Sequence, residues 1–500
     1  DIVIEEAKPD TTVVKTEVVW EGIDKRYFPV IESSFEYLNV MNMVSDSTFL
    51  YLEDATLSAK NTTLKKANIY GKNIKEEFSF GKESSFHTWV NDTVYYLDAG
   101  KLKSYNSATS TRKEVTAELD YQYDKALLNQ RVFEQAWGAF GSNFYDPDMH
   151  GKSWKKLYDF YRPYVDKARS INDIAEIINE MIGDVNASHT GFYPRVEGIR
   201  RSIPIAFLGV ELDLANVLPE GVKVSIVYPT SRLGSFYKLK EGDLISHINE
   251  IKITASTPLD SHLAGKIGKK ISLRLVKDGI VSDAVITGLS YSEAYNLWYK
   301  YFTNANRLKV ELLSDSKLGY IHIPSMGNTD WSNFYTELFR DNYDKDALVI
   351  DVRGNTGGYI HDQIISLLLK KRYAYSKSRS LSHNLRYEPR RSWDKPTIVL
   401  VNEESFSDGE IFPTIYQELK LGKVVGTPSS GAVIGTWHYY LMDGSSMRMH
   451  GTGWYKLDGS NMEGSGAMPD IIVDNSPEDK IARRDPQLER AVKELLKELK

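Results

Sequence analysis

The amino-acid sequence of 500 residues contains no cysteine. This absence excludes disulfide bonds, thiol nucleophiles and thiolate metal sites in one step. It leaves the compartment open, because a reducing cytosol and a cysteine-avoiding periplasm both fit. The ten histidines include no H-E-x-x-H zinc motif, and no G-x-G-x-x-G sequence follows a candidate strand. We therefore expect no cofactor.

Long apolar runs and blocks of one charge are also missing. No stretch reaches the roughly 18 apolar residues of a membrane helix, so we expect no membrane span. The net charge is −6 with both signs interspersed, which argues against a nucleic-acid partner. The first residues, DIVIEEAKPDTTVVKTE, lack a signal peptide's basic start and apolar core, and they lack an initiator Met. We expect a processed protein or a fragment.

The composition, 41% hydrophobic and 26% charged, is that of an ordinary globular protein. A chain of 500 residues is too long for a single hydrophobic core, so we predict several domains. Together with the residue patterns of its parts, this predicts a multidomain α+β chain. The predicted parts are 1–115, 116–200, 201–295 and 296–500. The first part has short aromatic and β-branched runs between polar turns, which is typical of a sandwich or of propeller blades.

The second part, 116–200, has apolar residues at helical spacing. One predicted helix carries Leu128, Val132, Ala136, Trp137 and Phe140. A second helix is predicted from about Ile171 to Asn186, with Ser170 as its cap. This prediction leaves 187–190 in the loop that follows the second helix.

The third part, 201–295, contains LKEGDLISHINEIKI. Gly242-Asp243 predicts a tight turn, Leu244–Ile248 a strand and Asn249-Glu250 a hairpin turn. A short helix is predicted around Leu259–Ile267. This module resembles a PDZ domain, which binds peptide termini at a sheet edge. The resemblance implies a carboxylate-binding loop at Ala206-Phe207-Leu208-Gly209; a generic small β domain is the alternative.

The fourth part, 296–500, alternates apolar strands with helices and predicts an α/β core. The runs KLGYIHIP, ALVIDV and TIVLV are of buried-strand type. Asp351–Gly358 ends one strand and precedes a helix, so its glycines could present free N–H groups to an oxyanion. A simple glycine turn is the alternative.

A second turn of the same kind, NEESFSDGE, carries Ser407 between a strand and a helix. A nucleophilic serine is exposed at such a position, next to the positive end of the helix dipole. The alternative is that Ser405 or Ser407 is only an N-cap. A serine nucleophile also needs a base, and the spacing of the residues alone does not connect any histidine to Ser407.

The order of nine motifs resembles the tricorn-type peptidases, within the wider group that includes the C-terminal processing peptidases. These motifs are WEGIDKR, FYDPDMHGKSW, NASHTGFY, KEGDLISHINE, GYIHIPSM, ALVIDVRGNTGGY, VNEESFSDGEIF, VVGTPSSGAVIG and NMEGSGAMPDIIV. The resemblance implies a serine peptidase that acts on short or unfolded peptides. It also implies that 1–115 are the last blades of a β-propeller and that the protein is a homo-oligomer.

The resemblance assigns the active site residue by residue. It implies Ser407 as nucleophile and His189 as general base. Ser188 and Glu463 then position and polarise that base. The backbone N–H groups of Gly358 and Asp408 form the oxyanion hole, and Phe207, Leu208 and Gly209 form the peptide-binding loop of the PDZ-like part.

The sequence departs from the wider group at Ala432. C-terminal processing peptidases use a serine–lysine pair, and Ala432 stands where their lysine stands. Alanine cannot accept a proton, so this departure favours a serine–histidine site. The family's cleavage preference does not transfer, because SKSRSLSHNL lacks the acidic residue on which that preference depends. A scaffold of the same fold that binds peptides without activity is the alternative function.

Overall fold

A computed structural model describes residues 21, 30, 37–54, 61–81, 87–98, 100–116, 122–195, 203–377, 379 and 385–499. The first residues, DIVIEEAKPDTTVVKTE, most of WEGIDKR and part of SKSRSLSHNL lie outside the described residues. The chain forms two compact units, Asp1–Gln122 and Tyr123–Lys500. The predicted mixture of helical and β domains is confirmed. None of the helices described has the length and apolarity needed to cross a bilayer.

The first unit contains two antiparallel four-stranded sheets in sequential order, β1 to β4 and β5 to β8. Alternating apolar side chains of both sheets form one core: Leu50, Leu64, Phe78, Val94, Tyr96 and Tyr105. The strands are β1 Tyr37–Ser45, β2 Thr48–Asp54, β3 Asn61–Asn68, β4 Lys75–Gly81, β5 His87–Val90, β6 Thr93–Asp98, β7 Lys101–Asn106 and β8 Thr111–Glu114. Four-stranded meanders are the unit of a propeller blade, and the propeller remains a prediction.

The second unit begins with three helices: α1 Lys125–Asn143, α2 Trp154–Val165 and α3 Ile171–Gly183. Helix α3 starts as predicted, because Ser170 and Asp173 form a capping box. Its apolar face packs with α1 over a small sheet of order β22-β23-β9. The strands of that sheet are β9 Gly191–Tyr193, β22 Ile434–Tyr440 and β23 Ser446–Gly453. The helical part is thereby joined to the carboxyl-terminal part of the chain.

A six-stranded antiparallel sheet follows, with its own core of apolar side chains. Its elements are β10 Val210–Leu218, β11 Gly221–Val227, α4 Arg232–Ser235, β12 Leu244–Ile248, β13 Ile251–Lys252, α5 Leu259–Leu263, β14 Lys270–Lys277 and β15 Ile280–Thr287. The predicted strand Leu244–Ile248 is confirmed. The predicted helix over Leu259–Ile267 was too long: it ends at Leu263 because Ala264 is extended and Gly265 has φ +66°.

The remaining core is a five-stranded, all-parallel sheet of order β16-β17-β20-β21-β24. Its strands are β16 Leu318–His322, β17 Ala347–Asp351, β20 Thr397–Val401, β21 Val424–Gly426 and β24 Ile471–Ile472; β18 Ala374–Lys377 and β19 Leu385–Glu388 form a separate hairpin. The helices are α6 Tyr291–Leu313, α7 Asn328–Arg340, α8 His361–Leu368, α9 Asp408–Glu418, α10 Pro477–Ile481 and α11 Pro486–Glu498. Every residue of β17 and β20 is buried, as their unbroken apolar runs predict.

Strands β17 and β20 are parallel neighbours, so the turns after them lie side by side at one edge of the sheet. One turn carries the glycines before α8, and the other carries Ser407 before α9. The fold therefore brings together two turns that are distant in the sequence.

Candidate active site

Ser407 occupies a strained turn between β20 and α9. Its backbone has φ 57° and ψ −125°, a region that non-glycine residues seldom adopt and that costs roughly 1–3 kcal/mol. Its N–H donates to the carbonyl of Ala432 at 2.9 Å and to Glu410 Oε1 at 3.1 Å. The serine is half-buried at the amino end of the helix, which is where a hydroxyl can meet both a ligand and the helix dipole.

Ser405 and Ser407, the two serines of this turn, differ in their surroundings. Ser405 is fully buried, and its Oγ donates to the Val352 carbonyl at 2.8 Å. It therefore fastens the turn to the end of β17. Ser407 holds the N-cap position of α9, so of the two serines it is the more accessible.

A buried carboxylate, Glu410, holds the turn together. It accepts hydrogen bonds from the N–H groups of Ser407, Gly431 and Ala432 and from two serine hydroxyls, those of Ser429 and Ser430. Five donors compensate a negative charge that has no contact with water. In the sequence, only the S-x-x-E spacing from Ser407, a capping-box signal, points to Glu410.

The glycine turn after β17 lies directly against Ser407. A Cβ on Gly357 would stand 2.7 Å from the Cβ of Ser407 and 3.1 Å from its Oγ. A Cβ on Gly358, whose φ is +148°, would stand 2.1 Å from the Met326 carbonyl oxygen. Only glycine allows both of these approaches. Buried Asn355 fixes the turn by accepting from the Gly357 N–H at 2.8 Å.

Two backbone N–H groups beside Ser407 have no acceptor among the residues that the structure describes: those of Gly358 and Asp408. Free donors that flank a serine are what an oxyanion hole requires. The family resemblance implies this role for both residues, and the role stays a prediction.

His189 lies just beyond α3, with φ 60°. Its Nε2 donates to the carbonyl of Ala432 at 3.2 Å, and its ring packs against Phe406. The Ser407 N–H donates to that same carbonyl. Within the described part of the chain no direct hydrogen bond joins the His189 ring to Ser407, so the two residues are linked through Ala432.

The surroundings of His189 favour its neutral form. Burial, and then the guanidinium of Arg448, hold the pKa of His189 below its ordinary value of 6.5. The Ala432 carbonyl and the carboxylates of Glu463 and Glu410 oppose this effect. A neutral imidazole is the form that can accept a proton.

Ser188 and Glu463 form a pair behind His189. Glu463 accepts from the Ser188 N–H at 2.7 Å and from the Ser188 Oγ at 3.0 Å. It also accepts from the N–H of Val433, the residue after Ala432, at 2.7 Å. Glu463 therefore joins the backbone on both sides of the His189–Ala432 contact, and in this conformation it bonds to Ser188 rather than to the His189 ring.

A second histidine, His450, supports the same segment from beneath, and the sequence analysis missed it. It is fully buried, and its Nε2 donates to the Ser188 carbonyl at 2.8 Å. Burial lowers the pKa of His450 to about 4. No local motif marks His450, because its role depends on packing between β23 and α1.

The predicted peptide-binding loop lies elsewhere, at the start of the six-stranded sheet. Phe207 exchanges two backbone hydrogen bonds of 2.9 Å with Leu289. The next two N–H groups, of Leu208 and Gly209, have no acceptor among the residues described, and Gly209 has φ +80°. None of these three residues has a recorded hydrogen bond to the residues around Ser407.

Two family models match the chain. The model for peptidase family S41 matches residues 317–473, and the model for the tricorn protease C1 domain matches residues 129–183. The first range contains Ser407 and Glu463, and the second contains α2, α3 and the part of α1 from Asn129 onward. Over these two ranges the chain is similar to the tricorn-like peptidases of the serine peptidase family S41.

Curated tricorn-like peptidases resemble the chain over most of its length. The tricorn protease of Thermoplasma acidophilum is 28% identical over 431 residues, which cover 81% of this chain and 38% of that protein. A tricorn protease homolog of Saccharolobus solfataricus is 25% identical over 516 residues, covering 96% of this chain and 46% of the relative. The chain thus spans less than half of these two tricorn relatives.

A crystal structure of the tricorn protease shares the fold of this chain. The TM-score is 0.79 at 23% identity, over 92% of this chain and 46% of that structure. The match therefore extends well beyond the residues covered by the two family models.

Proposed function

We propose that this chain hydrolyses peptide bonds in short or unfolded polypeptides, with Ser407 as nucleophile and His189 as general base. The single observation that carries the proposal is that His189 Nε2 and the Ser407 N–H both bond to the Ala432 carbonyl. Residues 243 apart in sequence, His189 and Ala432, are held in contact beside a strained serine. That arrangement supports the pairing that the resemblance implies.

The first step requires His189 to exchange partners. The ring turns from the Ala432 carbonyl to the Ser407 hydroxyl and accepts its proton as Oγ attacks the scissile carbonyl. To accept this proton at Nε2 the neutral ring must carry its own hydrogen on Nδ1, so the hydrogen that Nε2 donates to Ala432 first moves to Nδ1 by exchange with solvent. The Nδ1–H group then donates to the Ser188 hydroxyl, which donates its own hydrogen to Glu463 and keeps a lone pair. Catalytic hydrogen bonds of this kind commonly tighten only when substrate is bound.

The tetrahedral intermediate is then stabilised by the N–H groups of Gly358 and Asp408. Losing one such donor typically costs about 3–4 kcal/mol of transition-state stabilisation. The imidazolium next protonates the leaving amine, and the C–N bond breaks to give an acyl-enzyme on Ser407. Water repeats the sequence on the ester, and the product acid leaves.

The experiment is peptide-library hydrolysis by the wild-type chain, by Ser407→Ala and by Ser332→Ala. Ser332 is an exposed serine on α7 and is the matched control. The proposal predicts turnover by the wild type and by Ser332→Ala and none by Ser407→Ala. Undiminished turnover by Ser407→Ala would overturn it. Peptide binding by the wild type without any cleavage would favour the inactive scaffold instead.

We further propose that the six-stranded sheet is PDZ-like and receives the carboxyl end of a peptide. The unused N–H groups of Leu208 and Gly209 support this role, because backbone donors in such a loop can hold a carboxylate. Fluorescence anisotropy with matched free-acid and amidated peptides tests the proposal. Binding that survives amidation, or that survives Gly209→Asp, would contradict it.

The homo-oligomer implied by the resemblance also stays a prediction. Light scattering coupled to size-exclusion chromatography measures the mass of the protein in solution. A mass corresponding to 56.9 kDa would mean a monomer and would remove that prediction.

A further inference from the structure

Asp408 contributes more than a backbone N–H beside Ser407, because its side chain also accepts hydrogen bonds from the neighbouring turn. The carboxylate is 1% exposed. Its Oδ2 accepts from the N–H of Ile360 at 2.8 Å and from the N–H of His361 at 3.1 Å. Its Oδ1 contacts Nδ1 of His361, and neither of those two atoms has another partner among the described residues.

The segment whose N–H groups bond to the Asp408 carboxylate also carries the other proposed oxyanion donor, the Gly358 N–H. Gly358 lies two residues before Ile360, and the residue between them, Tyr359, donates its N–H to the Met326 carbonyl at 2.8 Å. The backbone on the carboxyl side of Gly358 is therefore held by one carbonyl and one carboxylate. The Gly358 N–H itself has no acceptor within the described part of the chain.

A carboxylate at a helix start is most often an ordinary cap, which belongs to the residue just before its own helix. Here the N-cap residue of α8 is Ile360, which has no side-chain acceptor to offer. The acceptor comes instead from α9, 48 residues further along the chain. The acceptor of this cap belongs to Asp408, the residue next to the proposed nucleophile, so the cap links the two turns that flank Ser407.

His361 connects the Asp408 carboxylate to residues on the other side of the site. Its ring meets Trp454 edge-on, with centroids 5.3 Å apart and planes at 87°. Trp454 packs in a small apolar cluster with Val433 and Met462. These two residues are next in sequence to Ala432 and Glu463, so the contacts run from the glycine turn to the segment that touches His189.

We propose that the Asp408 carboxylate and His361 are a positioning pair that sets the separation of the two oxyanion donors. One residue supplies one donor from its backbone and fixes the other donor with its side chain. The inference rests on the proposed function, since it assigns a role within the same site. Neither side chain transfers a proton or touches substrate.

Loss of this pair should weaken the stabilisation of the transition state and leave substrate binding almost unchanged. Misplacing one donor removes part of its contribution, so Asp408→Ala should lower kcat by about 10- to 100-fold while KM stays within about threefold. Affinity for a peptide boronate, which forms a tetrahedral anion on serine, should fall in parallel with kcat. Asp408→Asn keeps an oxygen that can accept from Ile360 and His361, so it should recover most of kcat.

The experiment measures kcat, KM and boronate affinity for Asp408→Ala, Asp408→Asn, His361→Ala and the control Asp362→Asn. Asp362 is an exposed carboxylate in the first turn of α8, so its variant removes a negative charge near the start of α8 and leaves the Asp408 bonds to Ile360 and His361 in place. Titration of the reactive serine with a fluorophosphonate corrects each rate for the fraction of folded enzyme. Asp408→Asn, which is isosteric, keeps the test usable if Asp408→Ala does not fold.

The inference is overturned if Asp408→Ala keeps its kcat per titrated site, or if kcat falls while boronate affinity does not. It is also overturned if Asp362→Asn loses as much activity as Asp408→Ala. A failure of the proposed function looks different, because then the wild type itself would show no Ser407-dependent turnover.

Discussion

His189 and Ser407 meet at one atom, the carbonyl oxygen of Ala432. The imidazole donates to it at 3.2 Å and the serine N–H at 2.9 Å. The family resemblance places Ala432 at the position of the lysine of the C-terminal processing peptidases. The side chain of Ala432 cannot accept a proton, but its backbone carbonyl holds His189 beside Ser407.

Replacing Glu410 with Gln should destabilise the fold and lower activity together. The amide would turn an NH₂ group toward donors that now meet a carboxylate, and buried donors would be left unpaired. We expect a loss of roughly 2–4 kcal/mol in the free energy of unfolding. Urea denaturation measures it, with Glu418→Gln, an exposed site on the same helix, as the control. Equal stability of both variants would contradict the role assigned to Glu410.

The pH dependence of kcat/KM should show an acid limb with a midpoint below 6.5. His189 must be neutral to act as base, and burial and Arg448 lower its pKa from 6.5. Activity is therefore retained as pH falls until the lowered pKa is reached. Arg448→Met removes a cation that disfavours the imidazolium, so the midpoint should rise, whereas Arg448→Lys should keep it low. A midpoint that Arg448→Met leaves unchanged would contradict this assignment.

His450 should make stability depend on pH between about 6.5 and 4. Its pKa is about 4 in the folded protein against 6.5 for the unfolded chain, so the unfolded state binds more protons across that range. Stability is fully present above 6.5 and falls as the pH is lowered toward 4, by about 3 kcal/mol from this group. Unfolding free energies of His450→Gln should lack this part of the pH dependence. His438→Gln, at an exposed histidine of β22, should retain it.

Gly357→Ala should reduce turnover far more than it reduces stability. Its Cβ would fall 2.7 Å from the Cβ of Ser407, so either the serine or the glycine turn must move. We expect a fall in kcat of about 100-fold or more, because shifts of about 1 Å are costly in catalysis. Gly268→Ala is the matched control, with φ +71° and no atom within 4 Å of the added Cβ. Similar kcat values for the two variants would show that the contact does not matter.

Local elements were predictable from the sequence because they depend on neighbouring residues. The apolar runs of β17 and β20 and the Ser170 cap of α3 were read directly from residue type and spacing. The end of α5 was misjudged because the apolar pattern continues to Ile267, whereas backbone geometry at Ala264 and Gly265 stops the helix.

The candidate site was predictable only in part. The strand–turn–helix position of Ser407 is a local feature that the sequence predicts. The spacing of the residues alone does not decide whether Ser407 is a nucleophile or only an N-cap. His189 was connected to it through the family resemblance, since the contact with Ala432 spans 243 residues. Glu410, His450 and the side chain of Asp408 were missed because their roles arise from burial and from partners distant in sequence.

The central claim, a Ser407 nucleophile activated by His189, is tested most directly by the rate of fluorophosphonate labelling with mass-spectrometric mapping of the labelled residue. The account predicts one label per chain, on Ser407, and a labelling rate about 10²- to 10⁴-fold lower in His189→Ala. Labelling of another residue, or an unchanged rate in His189→Ala, would contradict the account.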